Sequence, residues 1–162
     1  MNRIKETFDQ LKNINKKAVG IFLTAGDPDF VSSFNLIQKL PENGVDFIEI
    51  GMPFSDPMAD GPSIQLSSQR ALKSGMNLIK CLSLVKNFRK KNNQTPIILM
   101  GYYNPIYRYG KKKFIQNCLD CGVDGLIIVD LPLEEDEEFY FEAERNKLSI
   151  IRLVTPTTDF KR

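Results

Sequence analysis

The chain of 162 residues is 42% hydrophobic and 26% charged, which reads as a soluble globular protein of one domain. Its 22 basic and 20 acidic residues are interspersed and leave a net charge of +2, which excludes the one-sided basic face of a nucleic-acid binder. Histidine is absent, so the commonest acid/base group, the Ser-His and Cys-His nucleophile pairs and most zinc sites are excluded, and proton transfer falls to carboxylates, Lys, Tyr or Cys.

Met1 to Lys17 is charged and amphipathic, unlike a signal peptide. No apolar run approaches the roughly 18 residues of a membrane span. With three cysteines, an odd number, no disulfide framework is expected, and the reading is a cytoplasmic protein. Ile4, Phe8 and Leu11 recur at helical spacing and predict a short amphipathic helix over Ile4–Asn13. Ala18–Thr24 (AVGIFLT) then has the compact apolar character of a parallel strand covered on both faces. Asp27 and Pro28 suit the cap and first position of a helix reaching Lys39 or Leu40.

Four further strands are predicted at Phe47–Ile50, Pro96–Gly101, Gly125–Val129 and Ser149–Val154, with helical patterns around 62–91, 111–121 and 134–146. The acidic run at 134–138 belongs at a helix start, where it complements the helix dipole. Thr155–Asp159 reads as the entry to another helix. Strands alternating with helices imply an α/β fold with a parallel sheet. A weak repeat supports this: Asn43-Gly44-Val45-Asp46 precedes one strand and Cys121-Gly122-Val123-Asp124 another, each with Gly where a helix would end.

The unit from Phe47 to Pro96 exceeds the about 30 residues of a βα unit by about 20. The excess, holding Met52–Ser74, falls after a strand's C-terminal end, where parallel barrels build their active sites. Glu49 lies inside the apolar strand FIEI, sharing a face with Phe47. Facing inward among apolar neighbours it gains a raised pKa suited to acid/base work, or else it is a buried Glu held by a Lys or by backbone donors. The following loop, rich in Pro, Gly and Asp, is shaped rather than slack, and Asp60 either serves chemistry or caps a helix beginning at Pro62. Cys118 and Cys121 have CxxC spacing but lie on the apolar side of a helix with Phe114 and Ile115, so they read as buried or half-buried thiols.

The continuous segment IEIGMPFSDPMADGPSIQ, Ile48 to Gln65, closely resembles the signature of tryptophan synthase α subunits. FLTAGDP (Phe22–Pro28), LMGYYNP (Leu99–Pro105) and GVDGLIIVDLPLEE (Gly122–Glu135) follow in the family's order, so the resemblance covers essentially the whole chain. It implies a (β/α)₈ TIM barrel that is incomplete here, since a full barrel takes about 250 residues. About five βα units and an N-terminal helix are expected, as one partial barrel domain over residues 1–162.

It also implies a lyase that cleaves indole-3-glycerol phosphate to indole and glyceraldehyde 3-phosphate, without metal or organic cofactor. By match to the motif, Glu49 is the acid/base and Asp60 holds the indole N–H, while Phe22, Leu99 and Tyr102 wall the indole pocket. Asp56, Pro57 and the loop at Asn104-Pro105-Ile106 face a β subunit, which carries pyridoxal phosphate and joins the α subunit in an α2β2 complex; no nucleic acid or membrane is implied. Barrels of this kind grip phosphate with the loops after strands 7 and 8. Those units lie outside the predicted elements, so the chain alone is expected to be inactive. Another phosphate-handling barrel enzyme and a non-catalytic half-barrel that binds a partner are the alternative readings.

Overall fold

The computed structural model describes residues 2–132 and 134–160. The first helix, α1 (Arg3–Asn13), is capped by the Asn2 side chain, which accepts the Lys5 amide. Then come β1 (Gly20–Thr24), α2 (Phe30–Lys39), a 3-10 turn at Pro41–Asn43, β2 (Phe47–Gly51), α3 (Pro62–Lys73), α4 (Leu78–Arg89) and β3 (Ile97–Gly101). They are followed by α5 (Tyr103–Tyr109), α6 (Lys111–Cys121), β4 (Gly125–Ile128), α7 (Glu137–Arg145) and β5 (Ser149–Ile150). The five strands form one sheet in chain order, all parallel.

One face of the sheet carries Ile48, Ile50, Ile97, Leu99 and Leu126, all fully buried against the helices. On that outer side α2 packs on α4, α4 on α6 and α6 on α7. The opposite, inner face carries Phe22, Phe47, Glu49, Ile98 and Met100, paired across strands as Phe22 with Glu49 and Glu49 with Ile98. Its N-terminal end is covered by α1: Phe8 sits 6.1 Å from Phe47, ring to ring, and Ile4 lies against Gly125.

The Gly-Val-Asp repeat has a structural basis at that end. Gly44 (φ 82°) and Gly122 (φ 84°) take the left-handed conformation that ends each preceding helix. Each Asp then clamps the start of the neighbouring strand. Asp46 accepts the Val19 amide at 2.7 Å and donates its own to the Val19 carbonyl, while Asp124 does the same with Ile97, at 2.8 and 2.9 Å. Asp124 also accepts from Arg89 (2.6 Å) and Arg3 (2.8 Å). Arg89 directs three further N–H groups to the carbonyls of Gly122, Thr95 and Asn92. Burial pushes its guanidinium down to about 10, with Asp124 opposing and Arg3 adding to the effect, so it stays charged at neutral pH.

Four expectations need correction. The cap of α2 is Asp29, whose carboxylate takes the Ser32 amide and hydroxyl, whereas Asp27, before a cis Pro28, makes a two-pronged pair with Arg70 at 2.7 Å. The pattern over 62–91 is two helices, because Gly75 (φ 81°) turns the chain and Asn77 caps the second. The segment Asn104-Pro105-Ile106 is not a loop but the first part of α5, which tolerates Pro105 because first-turn amides have no helical acceptor. The strand expected over Ser149–Val154 pairs only at Ser149 and Ile150, with one more bond from Ile151 to Leu126. Thr155–Thr158, in the segment read as a helix entry, close a hydroxyl-bonded turn. Among the described residues, no helix is long and apolar enough to cross a membrane.

Candidate active site

The C-terminal ends of β1 to β4 converge under the segment Met52–Gly61. Glycines keep the backbone close where this segment meets the sheet: a Cβ on Gly51 would lie 2.7 Å from the Phe22 ring, and one on Gly101 would lie 2.8 Å from the Met52 side chain, so either side chain would have to shift. The Met52 amide donates to the Met100 carbonyl at 2.7 Å, which carries the segment over the end of β3. Its far side folds on itself through Met58 N–H to Asp56 O (2.9 Å) and Asp60 N–H to Pro57 O (3.1 Å).

Glu49 is half-buried on the inner face, beside Phe22 and Ile98, while its strand neighbours Ile48 and Ile50 face the helices. Among the described residues its carboxylate has no hydrogen-bond or ion-pair partner, so the reading of a Glu held by a Lys or by backbone donors does not apply. Burial alone raises its pKa above the usual carboxylate range.

Asp60 lines a narrow cleft with Phe22, Ile64, Ser68, Met100 and Tyr102. It is not the cap of α3: that position is Gly61, and no side chain bonds there. The Asp60 carbonyl instead accepts from Gln65 at 2.9 Å, tying the loop to the first turn of α3. Behind the cleft, the Thr24 and Ser67 hydroxyls meet at 2.6 Å and join β1 to α3.

Tyr102 is 3% exposed. Its ring packs 5.4 Å from Phe54, and its hydroxyl accepts the Ala59 amide at 3.0 Å. Burial raises its phenol, the Ala59 amide counters in part, and the nearby Asp60 carboxylate raises it further.

Phe22, Asp60 and Tyr102 are thus brought together, with Glu49 directly opposite Phe22 in the β1–β2 register. Leu99 is not. It pairs with Ile50 and Leu126 on the helix side and is fully buried, so its place in the cleft belongs to Met100, which pairs with Gly51 and Ile127. Two-residue alternation, carried from Glu49 through Ile98, was the signal for Met100.

Asp56 and Asn104 are exposed and Pro57 partly so, and Met58, next to Pro57, is 78% exposed. Ile106, expected with Asn104 at a partner face, is instead fully buried in the core. Cys118 is buried and Cys121 partly so, and burial lifts both thiols above their ordinary range.

Residues 8–162 match the model of the family described as tryptophan synthase alpha chain. The chain is similar to tryptophan synthase subunit alpha from Legionella pneumophila, with 43% identity and a TM-score of 0.96 over 99% of this chain and 62% of that one. It is 44% identical to a chain of the tryptophan synthase α2β2 complex from Pyrococcus furiosus, with a TM-score of 0.83 over 88% of this chain and 57% of that one. Against tryptophan synthase from M. tuberculosis the identity is 32% and the TM-score 0.94, over 100% of this chain and 65% of the other. It therefore spans about three-fifths of the length of these relatives. The five-stranded parallel sheet is that part of their α/β barrel fold, and the chain belongs to the tryptophan synthase alpha chain family.

Proposed function

We propose that the chain, as one partial barrel domain, supplies the acid/base side of a carbon-carbon lyase site that cleaves indole-3-glycerol phosphate to indole and glyceraldehyde 3-phosphate. The observation that carries this reading is Glu49, a carboxylate on the inner face of a strand that has no partner among the described residues, with its pKa raised by burial, in the strand that leads into the loop bearing Asp60. Such a group holds a proton closer to neutral pH than an exposed Glu and can give it to a carbon.

In the proposed reaction the Glu49 carboxyl protonates the ring carbon that bears the glycerol chain. Asp60 accepts the indole N–H and stabilises the positive charge that spreads to the ring nitrogen. The bond to the glycerol carbon then breaks, with its electron pair returning to the ring. The adjacent hydroxyl becomes the aldehyde and gives its proton to the Glu49 carboxylate, which regenerates the acid. Phe22, Met100 and Tyr102 supply the apolar walls for the indole. These steps balance without metal, redox group or cofactor.

The phosphate grip of such barrels follows strands 7 and 8, beyond the five strands described. We further propose that Asp56, Pro57 and Asn104 lie on a docking face for a β subunit, which would carry pyridoxal phosphate. Their exposure and the α2β2 assembly of the Pyrococcus relative support this.

The test is a cleavage assay on the chain and on a chimera that joins it to the part of the Legionella barrel it does not cover. The chain alone should be inactive and the chimera active, with Glu49→Gln lowering turnover by about 10²–10⁴-fold. A chimera whose activity survives Glu49→Gln removes Glu49 from the chemistry, and cleavage by the chain alone shows that the further units are dispensable.

A further inference from the structure

Beyond the end of β4 stands Asp130, on neither the strand that carries Glu49 nor the loop that carries Asp60. Its carboxylate accepts the Tyr103 amide at 2.7 Å. That amide is the first of α5, a helix whose own cap residue, Tyr102, makes no side-chain capping bond. The cap therefore comes from the segment that follows the next strand. Val129 N–H to Gly101 O (3.0 Å) laces β4 to β3 up to the same level.

Tyr102 stands between these bonds and the loop. Its backbone is extended (φ −106°, ψ 152°) and is followed at once by the amide that Asp130 holds, while its hydroxyl grips Ala59, the residue before Asp60. We propose that Asp130 is a positioning residue for the site: by fixing the backbone after Tyr102 it sets the Tyr102 hydroxyl, and through the Ala59 amide it sets the Asp60 carboxylate. This rests on the reading of Asp60 as the group facing substrate. Asp130 also adds to the rise of the Tyr102 phenol, after burial and Asp60, which keeps the hydroxyl protonated. On its other side α5 is anchored separately, by the Tyr103 hydroxyl bonded to Asp136 and by Ile106 in the core. Loss of Asp130 should thus loosen Tyr102 without releasing the helix.

The test is amide hydrogen exchange of the isotopically labelled chain. In Asp130→Ala, Ala59 and Tyr103 should exchange faster by about tenfold or more, as expected for loss of a charge-assisted bond, while the core amide of Ile48 is unchanged. Asp130→Asn, which keeps an acceptor oxygen, should restore protection at both sites. Should the alanine variant lose protection at Ile48 as well, Asp130→Glu takes its place, and the displaced carboxylate should give the same local loosening.

Unchanged exchange at Ala59 in a folded variant overturns the proposal, as does an Asn variant as loose as the Ala one. In the chimera assay Asp130→Ala should lower kcat by a larger factor than it raises KM, because the bond from the indole N–H to Asp60 strengthens as positive charge develops in the transition state. A loosened Ala59 with full kcat overturns the functional half. An inactive unsubstituted chimera counts against the lyase reading alone, since the exchange result still decides whether Asp130 positions the loop.

Discussion

Substituting Asp124 by Ala removes one acceptor from three donors: Arg89 at 2.6 Å, Arg3 at 2.8 Å and the Ile97 amide at 2.8 Å. Arg89 is 9% exposed and cannot turn to water, so its charge loses its counter-ion in place. Removing one partner of a buried pair costs about 3–5 kcal/mol. The stranded Ile97 amide adds about 1–3 kcal/mol. Three carbonyls still hold Arg89 and offset part of this, so the expected loss is about 4 kcal/mol, a large fraction of the 5–15 kcal/mol typical of a domain. Asp46 is the internal comparison. It makes the same clamp on Val19 but pairs with no cation among the described residues, so Asp46→Ala should cost only about 1 kcal/mol. Urea unfolding followed by circular dichroism measures both in a chain that lacks Trp. Losses that agree within about 1 kcal/mol, or an Asp124→Asn variant as stable as the parent, would refute the argument that the buried charge makes the difference.

Glu49 binds its proton more tightly when folded, so its contribution to stability is present below the ordinary carboxyl range and is lost as pH rises through the raised value. Glu49→Gln should accordingly gain stability over the parent in melts at about pH 8 relative to about pH 4, and a pH-independent difference would contradict this. Leu99→Ala should cost about 2–5 kcal/mol in urea unfolding because it empties a fully buried site. Met100→Ala should cost less stability yet weaken cleavage by the chimera, and the reverse order would show that the assigned faces are wrong. With burial lifting the Cys81 thiol to about 12 and Cys118 well above its usual value, a thiol reagent should label Cys121 first in the native chain. Labelling of Cys81 or Cys118 as fast as Cys121 would contradict their burial.

Much of the architecture was written locally. The apolar runs marked five strands, and Gly44 and Gly122 marked helix ends, because left-handed backbone is a property of one residue. The features that escaped were those whose partners are distant in sequence. Helix α5 lacks a capping side chain of its own because Asp130 supplies it, so no local motif announced it. The Ser74-Gly75 turn divides two helices that share one continuous polar-apolar pattern, which hid the break. Glu49 stood out as a carboxylate in an apolar strand and Asp60 through its Pro- and Gly-rich loop, but Leu99 and Met100 are adjacent apolar residues, and only the register with β2 decides which one faces the cleft.

The strand clamps bear on how the chain acquires its shape. Each strand pairs with the one synthesised just before it, Phe47 opposite Gly20, Ile97 opposite Ile48, Gly125 opposite Ile98 and Ser149 opposite Gly125. Asp46 and Asp124 set that pairing from the first residue, each on a backbone already made. A nascent chain emerging from the ribosome therefore meets its template in order, each new unit docking on a growing edge without waiting for distant sequence. For β2 and β4 the register is thus pinned at the strand's entry, the end away from the cleft.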